Sequence, residues 1–188
     1  LKNHKHLGIH TEMFSDGVIA IIITIMVLEL KVPHGTELSA LGPLVPVFLS
    51  YVLSFVYLGI YWNNHHHLFQ VAERVNGFIL WSNLHLLFWL SLIPFATGWL
   101  GENHFAALPT AFYGVVLLMA AVGYKLLQNA IQTEHGRDSK LSRALGLDWK
   151  GLLSPALYLL GIVVAFRAPW VSNGIYVLVA ILWFIPDR

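Results

Sequence analysis

One stretch near the N-terminus sets unusual side chains into an apolar run: Phe14-Ser15-Asp16-Gly17-Val18-Ile19-Ala20-Ile21-Ile22-Ile23-Thr24-Ile25-Met26-Val27-Leu28. At about 100° per residue, Gly17, Ile21, Thr24 and Leu28 fall within about 40° of one line along a helix. That line carries a small residue, a branched aliphatic, a hydroxyl and a leucine. Two kinds of chemistry fit it. Glycine, threonine and aliphatics are ordinary currency at helix–helix contacts, where a threonine satisfies itself on its own backbone. The same stripe suits a pore lining, with Ile21 as a constriction that closes by dewetting and Thr24 offering oxygens to a partly dehydrated cation. One chain supplies one such helix, so a pore requires several subunits about an axis. Asp16 projects about 140° away from Ile21, into the bundle or toward a neighbouring subunit. A carboxylate at membrane depth is costly unless partnered, so it is expected to serve as a helix cap or a hydrogen-bond anchor.

Two further motifs promise more chemistry than their spacing supports. His65-His66-His67 suggests a metal site, but helical metal pairs sit at i and i+4. The residues at that spacing are Tyr61 and Phe69, Trp62 and Gln70, and Asn63 and Val71. No metal is therefore assigned, a site shared with His10, His85 or another subunit being the alternative left open, and the histidines are expected to make polar contacts near the cytoplasmic ends of the first three helices. Val122-Gly123-Tyr124 matches part of a potassium-channel filter, but such filters are re-entrant loops of backbone carbonyls. Here the triplet lies inside a continuous apolar span and is followed by Lys125. Without carbonyl rings, any potassium preference must come from side chains and pore width, and is expected to be modest.

The elements that position these residues follow from composition. The 188 residues are 57% hydrophobic and 11% charged, with no cysteine, against about 25% charged in an ordinary globular chain. Zero cysteines exclude disulfides, thiolate metal sites and cysteine nucleophiles. A net charge of +1 argues against a nucleic-acid partner, which would require a basic stripe. Six segments approach the length of about 20 apolar residues needed to cross a bilayer: Phe14–Leu30, Pro43–Phe69, Phe78–Leu100, Ala107–Gln128, Leu152–Phe166 and Trp170–Pro186. The last two flank Arg167-Ala168-Pro169 and must form a tight helical hairpin. Trp62, Trp81, Trp99, Trp149 and Trp170 fall near span ends, as an aromatic belt requires.

In a six-span arrangement Lys2, Lys5, Arg74, Lys125, Arg137, Lys140, Arg143, Lys150 and Arg188 lie on one side, and Lys31 and Arg167 on the other. This bias predicts cytoplasmic N- and C-termini. Asp16 and Glu29 bracket the first apolar run, so it is expected to be a retained span and not a cleaved signal peptide. The long loop Asn129–Lys150 sets Leu141, Leu145 and Trp149 among basic residues, a pattern expected to lie partly in the membrane interface.

Three stretches carry a family resemblance. Phe14-Ser15-Asp16-Gly17 before an isoleucine-rich helix resembles the first-helix signature of the transmembrane protein 175 family. Tyr61-Trp62-Asn63-Asn64-His65-His66-His67-Leu68-Phe69 is similar to its second-helix histidine motif. Trp81-Ser82-Asn83-Leu84, continuing through Phe88 to Pro94-Phe95-Ala96-Thr97, is similar to its third-helix pattern. The resemblance covers the first hundred residues and, beyond them, the span count. It implies a potassium-permeable cation channel, with proton permeation as a family property, and no cofactor beyond the permeant ion. It also implies the prokaryotic branch, with one six-helix repeat per chain, assembled as a homotetramer in the inner membrane. By the same resemblance the pore is lined by the first helix, with Ile21 at the constriction, Thr24 one turn further and Leu28 beyond; the helical stripe adds Gly17. His10, Phe14, Ser15, Asp16, His65, His66 and Asn83 match a supporting network. The family signature usually has an arginine where His10 stands, so a permanent charge beside Asp16 is replaced by a titratable imidazole, or His65 or His66 takes over.

Other activities fit less well. A proton- or metal-coupled transporter usually keeps ionisable groups in mid-membrane, whereas spans four to six carry none in their central turns and span three offers only His85. An intramembrane enzyme would need a nucleophile or paired carboxylates that the spans do not supply, so no catalytic residue is assigned. The expectation is an all-α, six-helix membrane bundle that forms a weakly potassium-selective cation channel, with the lipid bilayer, monovalent cations and further copies of itself as partners.

Overall fold

The computed structural model describes residues 2–72, 74–135 and 149–185, with side chains from Gly8 onward. Its helices are α1 (Lys2–Met26), α2 (Val45–Gln70), α3 (Gly77–Ser91), α4 (Ile93–Glu102), α5 (Ala107–His135), α6 (Trp149–Ala165) and α7 (Pro169–Phe184). Short 3-10 turns at Val27–Glu29 and Leu38–Leu44 join α1 to α2. The bundle is all-α, as its composition demands, and α3 with α4 forms one broken crossing of the six.

The break has a local cause. Phe78–Leu100 is expected as a single span, but the helix stops at Ser91 and restarts at Ile93, with Pro94 in the first turn of α4. A proline lacks the N–H that would bond the carbonyl four residues back, and its ring collides with that carbonyl, here Leu90. Ser91 and Thr97 then donate their hydroxyls to the carbonyls of Phe88 and Ile93, at 2.7 Å each. Asn76 caps α3 by accepting from the Ile79 N–H at 2.9 Å, which satisfies one of the orphan amides of its first turn.

Two other boundaries differ from expectation. α1 starts at Lys2 and not near Phe14, so Asp16 lies well inside the helix and does not cap it. α5 runs on to His135 instead of giving way to loop at Asn129; the Asn76 side chain donates to Glu134 there at 2.6 Å. Leu141 and Leu145 lie outside the described residues. Between α6 and α7 the chain turns as tightly as the sequence requires, through Arg167 and Ala168 amides donated to the Val164 carbonyl at 2.9 and 2.8 Å.

α1 lies against α2, α3 and α4, while α5 carries α3 and α4 on one side and α6 and α7 on the other. Close helix approach depends on small residues. A Cβ on Gly101 would stand 2.6 Å from the Val47 Cα, and one on Gly161 would stand 2.5 Å from the Tyr176 ring. Hydroxyls join the helices where the core is apolar. Ser54 Oγ lies 2.6 Å from Thr97 Oγ1 and 2.9 Å from the Tyr113 hydroxyl, and Tyr57 donates to the Tyr176 carbonyl at 2.6 Å. Each such bond ties α2 to another helix in a setting where water is not available to compete. Val122-Gly123-Tyr124 is continuous helix in α5, and a Cβ on Gly123 would stand 3.1 Å from the Leu86 Cα of α3, a tight approach that glycine eases.

Candidate pore helix and the polar network behind it

α1 has two sharply different faces. Gly8, Thr11, Ser15, Ile19, Ile22 and Met26 recur every three or four residues and are all buried, which is the spacing of one helix face. On the opposite side His10, Phe14, Gly17, Ile21, Thr24 and Leu28 are all exposed. Ile21 is 58% exposed and Leu28 76%, and nothing stands within 4 Å of where a Gly17 Cβ would be. The expected stripe therefore lies on a surface that the rest of the chain leaves uncovered. Thr24 donates its hydroxyl to the Ile21 carbonyl at 2.9 Å. That bond satisfies the proton and leaves oxygen lone pairs on the exposed side. Among the described residues the stripe carries no acidic or basic group other than His10, at its outer end.

The buried face is held by a chain of hydrogen bonds. Ser15 donates to the Thr11 carbonyl at 2.8 Å and accepts from the Asn83 amide at 2.9 Å. With its amide nitrogen turned to Ser15, Asn83 presents its oxygen to His65 Nε2 at 2.8 Å. An amide oxygen only accepts, so His65 Nε2 carries a proton. Ser15, His65 and Asn83 are 0, 0 and 1% exposed, and the His65 ring stacks on Phe69 with centroids 4.6 Å apart. One residue from each of α1, α2 and α3 is thus locked to the next.

A second cluster lies beside the first. Asp16 accepts from Trp62 Nε1 at 3.0 Å, and the Trp62 ring stacks on His66 at 5.8 Å and 17°. His66 Nδ1 approaches Glu12 Oε1 to 2.8 Å, and its Nε2 meets the Gln70 amide at 2.7 Å. The two clusters thus split the matched network. Ser15, His65 and Asn83 come together, Asp16 and His66 join a neighbouring group, and Phe14 and His10 stay outside both. His10 forms no hydrogen bond or ion pair among the described residues, and neither His65 nor His66 takes its place on Asp16. The partner of Asp16 is Trp62, which the sequence places in an aromatic belt and beside the histidines but not in the matched network. Glu12 is the other contributor missed; its signal was the i, i+4 spacing to Asp16 on one helix face.

At the opposite end of α1, Glu29 packs its carboxylate over Gly98, where any Cβ would collide at 2.6 Å. Lys31 pairs with Glu102 at the end of α4. The Glu102 hydrogen bond and charge raise the Lys31 ammonium above its ordinary value of 10.5.

Four helical stretches, Gly8–Glu29, Leu38–Gln70, Gly77–Glu102 and Ala107–His135, are long and apolar enough to cross a membrane, and two shorter apolar helices follow. Bulky apolar side chains such as Phe55, Phe88, Phe95, Leu152 and Val163 stand exposed around the bundle, far more than a soluble monomer presents. The chain is a multi-pass helical membrane protein. A family model described as "Endosomal/lysosomal potassium channel TMEM175" matches residues 10–94. A potassium channel of Chryseobacterium sp. (strain P1-3) is 56% identical over 94% of this chain and 92% of its own length. The endosomal/lysosomal proton channel TMEM175 of Gallus gallus is 34% identical over 45% of this chain and 19% of its own length. In structure, the crystallised lysosomal potassium-selective channel TMEM175 homologue of Chamaesiphon minutus matches with a TM-score of 0.83 and 28% identity, covering 96% of this chain and 97% of that one. The chain belongs to the TMEM175 family.

Proposed function

We propose that the chain is a potassium-permeable, weakly selective cation channel. Four copies assemble around α1 in the cell membrane of a prokaryote, with both termini cytoplasmic. The observation that supports this reading best is the uncovered stripe of α1 in a chain whose relatives are named potassium channels. Four copies of that stripe would line an axis with an Ile21 ring too apolar to stay wet when narrow. Above it a Thr24 ring would replace part of a cation's hydration, and a Leu28 ring would form a further apolar layer. Relatives named proton channels make proton flux along the same path part of the proposal. Catalysis has no place in this reading, and the permeant ion is its only ligand.

The test is the reversal potential of purified protein in a planar bilayer, with potassium on one side and sodium on the other. A shift toward the potassium equilibrium potential is expected, and Ile21→Asn should raise the current and reduce the shift. No current from folded, oligomeric protein would overturn the channel reading. An Ile21→Asn current equal to the parent's would remove Ile21 from the constriction.

A further inference from the structure

We propose that Glu12, Asp16 and His66 form a binding site for one divalent transition-metal ion per chain, bridging α1 and α2. Each residue offers one ligand atom, and these atoms all lie within 4.8 Å of one another. Glu12 and Asp16 stand one turn apart on α1, which puts their carboxylates side by side. His66 approaches from α2, so the ligands come from two elements and close on a point between them.

Three independent features favour a cation there. First, two carboxylates lie together within the apolar stretch Gly8–Glu29 of α1, and among the described side chains neither has a lysine or arginine partner. Uncompensated anionic charge at that depth is costly. Second, His66 Nδ1 and Glu12 Oε1 are 2.8 Å apart, yet Nδ1 is shielded from solvent and has no hydrogen-bond partner. The two atoms are close without being aligned for a hydrogen bond. Neighbouring ligands on an ion with bonds near 2.1 Å stand about 3.0–3.4 Å apart, so both atoms lie close to the geometry of one coordination edge.

Third, the surrounding contacts resemble an outer shell. Metal-bound histidines commonly donate their other ring N–H to a fixed acceptor, and bound carboxylates are themselves hydrogen-bonded. Here the Gln70 amide meets His66 Nε2 at 2.7 Å. With its oxygen turned inward, an orientation equivalent in shape, Gln70 accepts the Nε2 proton and leaves the Nδ1 lone pair for the ion. Trp62 holds Asp16 by its indole N–H and fixes the His66 ring by stacking.

Two carboxylates and one imidazole suit Zn²⁺, Mn²⁺ or Co²⁺. Calcium asks for six to eight oxygens, and copper(I) for sulfur. Occupancy would tie the helix that carries Gly17, Ile21 and Thr24 to α2, on the side away from that stripe. The site depends on α1–α2 packing within one chain and not on conduction.

The experiment titrates tag-free protein in lipid nanodiscs with Zn²⁺ by calorimetry, and with Co²⁺ by visible absorption. One ion per chain is expected. Loss of a ligand in His66→Gln or Glu12→Gln should weaken binding at least as much as the 10–100-fold, roughly, that a lost outer-shell partner costs. Trp62→Phe should fall within that range. His67→Gln, which removes an exposed neighbouring histidine, should bind like the parent. Stoichiometry near zero in the parent overturns the site, and so does equal affinity in His66→Gln. Loss in His67→Gln as large as in His66→Gln would mean adventitious binding to surface histidines. If Glu12→Gln does not fold, His66→Gln and the parent stoichiometry decide the matter.

Discussion

Replacing Asn83 by leucine tests whether the Ser15–Asn83–His65 chain holds the first helix in place. The substitution keeps the branched heavy-atom skeleton of the side chain and does not lower helix propensity, but removes two hydrogen bonds, at 2.9 and 2.8 Å. Ser15 keeps its bond to the Thr11 carbonyl, so it loses only an accepted contact. His65 is left with a donor at Nε2 in a position with no exposure. A stranded buried donor costs about 1–3 kcal/mol, and the lost bond to Ser15 adds about 1 kcal/mol. Inter-helix bonds in membranes can be weaker, averaging about 0.6 kcal/mol, so the expected loss is about 2–4 kcal/mol, with the lower end favoured. The assay is reversible unfolding in mixed SDS–detergent micelles followed by circular dichroism. The double variant His65→Leu/Asn83→Leu should be less unstable than the two single losses summed, by about 1 kcal/mol or more, because the stranded donor goes with its partner. A single-variant loss below about 0.5 kcal/mol, the scale of an ordinary surface change, would refute the reasoning, as would strict additivity.

Other expectations follow from the same geometry. Thr24→Val keeps the shape of the residue and removes the hydroxyl, so the potassium-to-sodium shift in reversal potential should shrink while current persists; an unchanged shift would take Thr24 out of selectivity. Gly101→Ala should destabilise the fold by about 1–3 kcal/mol through overpacking, because the new methyl would meet the Val47 backbone. Gly59→Ala, with nothing within 4 Å, should be neutral or slightly stabilising, and equal effects at the two sites would contradict the close approach of α4 to α2. For Lys31 the folded-state pKa is raised by Glu102, so the pair's contribution is complete below the unfolded value and lost only as pH rises through the folded one. The difference in thermal midpoint between the parent and Lys31→Gln should therefore be flat from about pH 7 to 9; a decline across that interval would show that the pair is not what Lys31 contributes.

Much of the architecture was legible in the sequence because a bilayer is a demanding solvent. Only helices or closed barrels satisfy the backbone there, so apolar runs of sufficient length name the elements. The two faces of α1 were legible for a related reason. Ser15, Ile19, Ile22 and Met26 recur at helical spacing, and so do Gly17, Ile21, Thr24 and Leu28, so burying one set leaves the other uncovered. The kink before Pro94 could also have been read from the proline itself, since its missing N–H acts locally.

Partner choice between helices lay beyond sequence reasoning. Asp16 was in view from the start, but its acceptance of the Trp62 N–H depends on how far α2 is rotated and shifted along α1. Packing far from Asp16 contributes to both: Gly101 admitting the Val47 backbone and Ser54 reaching Thr97 and Tyr113 seat α2 on α4 and α5, and α4 in turn lies against α1. The three consecutive histidines show the same division. Their spacing ruled out a metal pair within one helix, yet the fold turns His65 to Asn83 and His66 to Glu12 and leaves His67 exposed. Periodicity along one chain determined which residues lie on each face of a helix; only the tertiary structure decided which faces meet, because that depends on the combined shape of many side chains at once.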